Sequence, residues 1–550
     1  MGLFKKHELK ELLGDLPLTA EVYWYLRQHG QPLKSSFKLE QLEEHLPGWR
    51  KQVETHLRTR PPSEEGKRVL IFSVLHYWIE HASVLGLALA GLGHSVELAF
   101  MPFGRWQDPI NRFDLRRQNI YARNILNQLA PYVQATSLLD VRAEADELPG
   151  AMRRKIEQIT LRDTQYTLQV EEVDPQSDLY RLRHSRNSAA ARSAWHLLTD
   201  RYPDVVIVPN GSIFEFGVLY QMAHYLGLPV VTYEFGEQRE RIWLALDGEV
   251  MRQNTEAMWA ARGGVDLLPD ERDQVQTLYA SRQRASLWEN FARRWQGVPS
   301  AGGEKARANL GLDQRPIVLL ATNVIGDSLT LGRQVFSDSM TEWLKRTVAY
   351  FSQHPEIQLV MRIHPGELIT QGPSVAEVIE AAFGELPEQI HLVPADAQVN
   401  TYDLVEIADL GLVYTTTVGL EMAMSGIPVL AIGQTHYRGK GFTLDPVSWE
   451  DYFDTLDRVC RAPEEYRLSP EQVARAWEYA YRFFFEFPHP FPWHIVHLWD
   501  DVKDWPLIRV LSGEGRARFG NTFRYLTGEP IDWAGYLPGL ELHERSIDER

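Results

Sequence analysis

Apolar positions along the chain fall into a repeating alternation of short continuous runs and helical stretches. RVLIFSVL, Arg68 to Leu75, is an unbroken apolar run rich in branched side chains with polar residues on either side. That is the pattern of a strand buried on both faces, as in a parallel sheet. ASVLGLALAGLGH follows with helical spacing and then SVELAFM, so strand, helix and strand succeed one another as a βαβ unit. DVVIVPN, the helical GVLYQMAHYLG and LPVVTYEF continue the series. The stretches from Pro109 to Tyr202 and over 237–300 read as mainly helical. A second series begins after SAGGEKARANLGLDQR. PIVLLATN, IQLVMRIHP, IHLVP, ADLGLVYT and IPVLAIG read as strands, and MTEWLKRTVAYFSQH, SVAEVIEAAFGEL and VGLEMAMSG as helices between them.

Two such series in one chain predict an α/β protein with two Rossmann-like, doubly wound lobes and a cleft between them. The expected divisions are a helical N-terminal extension over 1–65, a first lobe over 66–300 with helical insertions, a second lobe over 301–480, and a C-terminal crossover and tail over 481–550. A chain of 550 residues exceeds what one core supports. The aromatic and proline-rich YRFFFEFPHPFPWHIVHLWD is expected to pack between the lobes.

Charge narrows the partners. Fifty-seven basic against seventy-four acidic residues give a net charge of −17, which argues against general nucleic-acid binding. No apolar window reaches the length of a membrane span, and the first residues lack the apolar core of a signal peptide, so a cytoplasmic location is expected. The segment from Leu3 to Leu13 is basic and weakly amphipathic, and reads as a cap helix with peripheral contact to the inner face of a membrane as the alternative. Cys460 is the sole cysteine and reads as a packing residue in a reducing compartment.

Candidate chemistry gathers at the carboxyl ends of the second lobe's strands, where this architecture binds ligands. The first strand ends in Thr322, Asn323, Gly326 and Asp327; the second in Arg362, His364 and Pro365. A later strand runs into Tyr414 and Thr415 to Thr417 with Glu421 beyond, and the next leads to Gly433, Arg438 and Lys440. In YTTTVGLE the threonines stand at a strand-to-helix turn, where hydroxyls and unpaired helix N–H groups suit a phosphate. Glu421, one helical turn past Thr417, is placed to accept from a ribose diol, or to be an ordinary solvent-facing side chain. His364 in RIHPGE can donate to a phosphate or protonate a leaving group, or be a satisfied core histidine. No phosphate loop, no G-x-G-x-x-G after a strand, no HExxH and no Cys/His cluster occurs. Asp-x-Asp is absent as well, so nucleotide binding is expected without a metal, and no cofactor is expected beside the nucleotide co-substrate itself.

LLATNVIGDS, MTEWLKRTV, RIHPGE and LVYTTTVGLEMAMSGIPVLAIGQTHYRGKGFTLD together resemble the bacterial capsule polysaccharide biosynthesis family of GT-B type. The HP element with a Ser/Thr-rich turn is similar to that of Kdo transferases and bacterial sialyltransferases, which use CMP-sugars. The specific resemblance covers roughly residues 317 to 446; over the first lobe it is architectural. It implies inverting transfer of a sugar from a nucleotide-sugar donor to a cell-surface polysaccharide or glycolipid acceptor. By the same resemblance His364 meets the donor, Thr416 and Thr417 bind phosphate, and Glu421 is the acidic residue of the donor-site helix. Three threonines stand where a serine-containing pair is more usual. Asn323, Asp327, Arg362 and Lys440 complete the expected donor set. A catalytic base is expected from the first lobe, among Glu80, His81, Glu215, Glu234 and Glu237, with Glu80 the preferred choice. Two other readings share the fold: a nucleotide-sugar 2-epimerase, and a silent sugar-nucleotide or glycan-binding scaffold.

Overall fold

The computed structural model describes residues 6–28, 36–59, 66–141, 148–286 and 297–535. The start of the Leu3 to Leu13 segment, much of the breaker-rich stretch before residue 66 and the end of the tail lie outside them. The first sheet has seven strands: β1 (Arg68–Val74), β2 (Ser95–Met101), β3 (Val133–Ser137), β4 (Val205–Pro209), β5 (Val230–Glu234), β6 (Arg241–Leu246) and, from the far end of the chain, β12 (His489–Pro490). The second has five: β7 (Ile317–Ala321), β8 (Gln358–Arg362), β9 (Ile390–Val393), β10 (Leu410–Val413) and β11 (Val429–Ala431). The orders are β12-β6-β5-β4-β1-β2-β3 and β11-β10-β7-β8-β9. Each sheet therefore has a point where the chain reverses its direction of winding, between β1 and β4 in one and between β7 and β10 in the other. Crevices at such points are the natural ligand sites of doubly wound sheets. The protein thus has the expected fold class, two Rossmann-like lobes of GT-B-like arrangement.

The central strands β4, β7, β8 and β10 are buried along their whole length, as continuous apolar runs require, and so is the edge strand β11. Three strands were not foreseen. β3 lies in a region read as helical; it is an edge strand whose middle residues, Gln134 to Thr136, stay in partial contact with solvent. β6 pairs antiparallel with β5, and β12 antiparallel with β6.

The chain changes lobes earlier than residue 300. Met258, Val275 and Leu278, on the helices Glu256–Arg262 and Pro269–Gln283, pack in the core of the second lobe. It changes back through the π-helical turn Arg482–Glu486, whose Phe483, Phe484 and Phe485 belong to the second core, while Phe491, Trp493 and the residues to Leu526 belong to the first. Cys460 is buried with the second lobe's other core. Among the described residues no helix is long and apolar enough to cross a membrane.

Direct contacts hold the lobes together. Both oxygens of Glu171 accept from the N–H groups of Met340 and Thr341, at 2.8 and 2.9 Å, so a first-lobe carboxylate caps a second-lobe helix. Such a cap satisfies donors that every helix start leaves open and matches the sign of the helix dipole. Beside it Gln169 presses its backbone on Gly326, where a Cβ would stand 2.5 Å from Val170 N. Gly326 has φ +71°, so glycine serves both the turn and the approach.

Candidate functional site

Between the lobes lies a cavity of about 410 Å³. The second lobe supplies Asn323, Asp327, His364 and Thr415 to Thr417 from the ends of β7, β8 and β10, three adjacent strands. The first lobe supplies Gln169, Glu237, Arg241 and Trp243, and the crossover supplies Phe483, Phe484 and Pro488.

The turn after β10 sits at the second lobe's reversal point. Asn323 Oδ1 accepts from the Thr415 N–H at 3.1 Å, so the ends of β7 and β10 are tied by a side chain. Tyr437 donates its hydroxyl to the Thr416 carbonyl at 2.6 Å, and the Thr435 hydroxyl donates to the Thr415 carbonyl at 3.3 Å. These bonds fix the backbone of a turn whose three threonines line the cavity. Thr415 Oγ1 is buried without a hydrogen-bond partner among the described residues. A native structure rarely leaves such a group unmet, and a ligand meets it economically. The helix after the turn, Val418–Met424, has seven residues and no side-chain cap, so the hydroxyls weigh more here than the dipole on which the sequence argument drew.

His364 is set by its neighbours. Its N–H donates to Thr322 Oγ1 at 3.0 Å, and its Nδ1 accepts from the Gly366 N–H at 2.9 Å. An accepting Nδ1 puts the proton of the neutral ring on Nε2, making that nitrogen a donor. Pro365 and Gly366 shape this turn: a Cβ on Gly366 would lie 2.7 Å from Nδ1. Asp327 lies in the cavity with Oδ1 accepting from the Leu329 N–H and the Ser328 hydroxyl, both at 3.1 Å. Burial pushes its carboxyl above the usual range, and those two bonds only partly oppose the rise.

Four expected site residues stand elsewhere. Glu421 is 1% exposed and does not line the cavity. One of its oxygens pairs with Arg282 and the other accepts from the Tyr402 hydroxyl at 2.9 Å. The carboxylate expected to hold a ribose is thus committed to the protein, because the helix turns it toward Pro269–Gln283 rather than toward the cleft. Lys440 is buried against Glu256. Arg362 lines a second, adjoining cavity. Glu80 lies inside the first lobe, its carboxyl pushed up to about 8 by burial and, secondarily, by Glu40; it does not line the cavity.

The other base candidates divide similarly. His81 is fully buried between Trp493 and Tyr233, and burial drives its pKa down to about 3. Glu215 pairs with Arg183 in the first lobe's interior. Glu234 accepts from Asn210 at 3.0 Å and from the Phe235 N–H at 3.0 Å. Glu237 alone of the five lines the cavity, and Arg282 reaches it at 3.3 Å. Arg282 thus bridges Glu237 of the first lobe and Glu421 of the second, with its guanidinium 4.5 Å from the Phe484 ring centre. Among the described residues no three His, Cys, Asp or Glu side chains gather to hold a metal ion.

Known proteins give the following comparison. No model of a protein family matches this sequence, and no curated protein matches it. Among solved structures it is similar to KpsC of Thermosulfurimonas dismutans, described as a beta Kdo 2,4 transferase, with TM-score 0.33 and 15% identity over 52% of this chain and 82% of that one. It is also similar to the UDP-GlcNAc 2-epimerase of Neisseria meningitidis bound to UDP-GlcNAc, with TM-score 0.25 and 13% identity over 76% of this chain and 99% of that one. The calicheamicin glycosyltransferase CalG4 gives TM-score 0.23 and 14% identity over 77% of this chain and 95% of that one.

Proposed function

We propose that the protein is a glycosyltransferase that holds a nucleotide-sugar donor in the interlobe cavity and passes the sugar to a saccharide or glycolipid acceptor, without a bound metal. The observation that carries this reading is the meeting of His364 with Thr415 to Thr417 in one cavity at the reversal point of the second sheet. Hydroxyl donors, an imidazole Nε2–H and the Arg241 guanidinium surround one space, a donor set suited to a phosphate ester. The aromatic and apolar wall of Trp243, Phe483 and Phe484 excludes water from the sugar.

In the reaction an acceptor hydroxyl attacks the anomeric carbon, the new glycosidic bond forms as the bond to phosphate breaks, and the nucleotide leaves with the electron pair. His364 stabilises the charge that grows on the departing oxygen. Asp327, the cavity carboxyl whose affinity for protons is raised by burial, takes the hydroxyl proton. Glu237, held by Arg282 on the first-lobe wall, orients the acceptor. Work on a surface carbohydrate places the protein in the cytoplasm at the inner face of the membrane. Nucleotide binding in the presence of EDTA, followed by transfer assays with the nucleotide-sugar that binds, tests the reading. Binding abolished by EDTA and restored by magnesium would overturn its metal-free form, and a donor returned as its epimer would replace transfer by epimerisation.

A further inference from the structure

A second cavity of about 450 Å³ adjoins the first, and the two share Gly366 and Ile369 as their common wall. Its floor holds Arg362, which is 5% exposed. Among the described residues Arg362 makes no ion pair: Nη1 donates to the Pro394 carbonyl and Nε to Thr401 Oγ1 at 3.5 Å. Burial lowers its pKa to about 10, with Asp396 on the rim raising it slightly. A buried guanidinium with no paired carboxylate among the described residues, only Asp396 acting from the rim, is unusual, because desolvating the charge is expensive unless something answers it. The rest of the cavity does not suit a second phosphate. Leu368 and Ile369 line it, and they are among the most exposed large apolar side chains of the protein, at 63% and 81%. Ala395 and Val399 stand in the same wall. Apolar flanks around one planar, forked donor describe a slot for a flat heterocycle with acceptors on its edge.

Resting on the donor reading above, we propose that this second cavity takes the donor's nucleobase and that Arg362 selects a base with two adjacent acceptors on one edge. Cytosine offers N3 beside O2, and guanine N7 beside O6. Uracil places an N–H between its two carbonyls, and adenine sets its amino group beside N1 and N7 and leaves N3 without a neighbouring acceptor on its edge, so neither matches the fork. The arrangement runs from the threonine turn and His364, through the shared Gly366 wall, to Arg362, which follows the order phosphate, ribose, base.

Equilibrium binding of CMP, GMP, UMP and AMP to the full chain tests this, with Arg362→Gln and Ile369→Ser as variants. CMP or GMP is expected to bind at least about tenfold more tightly than UMP and AMP. Arg362→Gln should shrink that preference to within about threefold while competition by inorganic pyrophosphate stays unchanged. Ile369→Ser, on an exposed side chain that the fold does not need, should weaken all four bases alike and leave pyrophosphate untouched. UMP or AMP as the tightest ligand, or an Arg362→Gln protein that loses all four equally together with pyrophosphate, would overturn the proposal and leave the donor site standing. No binding by any of the four would sink both. If Arg362→Gln does not fold, the wild-type base preference and Ile369→Ser decide.

Discussion

Glu421 separates a structural role from a binding role. Replacing it with alanine leaves Arg282, 6% exposed, with Glu237 as its remaining partner at 3.3 Å. It also removes the bond that the Tyr402 hydroxyl donates to Glu421. Removing one member of a buried ion pair typically costs about 3–5 kcal/mol, and the lost hydrogen bond adds about 1 kcal/mol. Since Glu237 still answers part of the charge, the lower end, about 3 kcal/mol, is the expected loss for Glu421→Ala. Paired replacement, Glu421→Ala with Arg282→Met, should recover much of it, because neither charge of the buried Arg282–Glu421 pair then remains and Glu237, which loses Arg282, is only half-buried. The assay is denaturant unfolding of the wild type, both single variants and the double variant, with the coupling taken from the cycle. A positive coupling of about 2 kcal/mol or more supports the account. A Glu421→Ala protein that unfolds like the wild type yet loses nucleotide affinity would refute it and return the carboxylate to the ribose.

Further outcomes follow from the geometry. Gly366→Ala, whose Cβ would push on His364 Nδ1, should weaken nucleotide binding and turnover with unfolding unchanged; unaltered kinetics would show that the ring's setting is immaterial. Gly326→Ala should separate the lobes at Gln169 and enlarge the radius of gyration in small-angle scattering, since both the φ and the approach demand glycine. Asp327→Asn should lower turnover by roughly two to four decades while nucleotide affinity changes little; equal losses in both would make it a binding residue. Glu80, with its pKa raised to about 8, contributes stability that is whole below its unfolded value and is lost as pH rises through about 8. Glu80→Gln should therefore unfold later than the wild type at pH 9 and lose that advantage toward pH 4, and a pH-independent difference would contradict the burial of an ionisable group there.

The buried strands were legible because each is a short apolar run between polar ends, and burial on both faces is what such a run requires. β3 escaped because polar positions interrupt its run in Val133–Ser137, and β6 because Ile242–Leu246, though an unbroken apolar run, stands in a stretch read as helical and pairs antiparallel rather than in the parallel series. Strand ends were a sound guide to position, and so Asn323, Asp327, His364, Thr416 and Thr417 meet in one cavity. They were a poor guide to direction. Glu421 turns to Arg282, a partner 139 residues earlier, and Lys440 to Glu256, 184 residues earlier. Arg362 and His364 flank a single residue, yet the Pro365–Ile369 turn divides them between two cavities. The crossover phenylalanines could be read as packing between lobes, but not as a wall of the site.

The most direct measurement is the structure of the protein with the nucleotide that binds it most tightly. The account predicts a phosphate within hydrogen-bonding distance of the Thr415 to Thr417 hydroxyls and of His364 Nε2, with Glu421 still paired to Arg282. A nucleotide seated outside the interlobe cavity, or one whose phosphate touches none of these side chains, would contradict it.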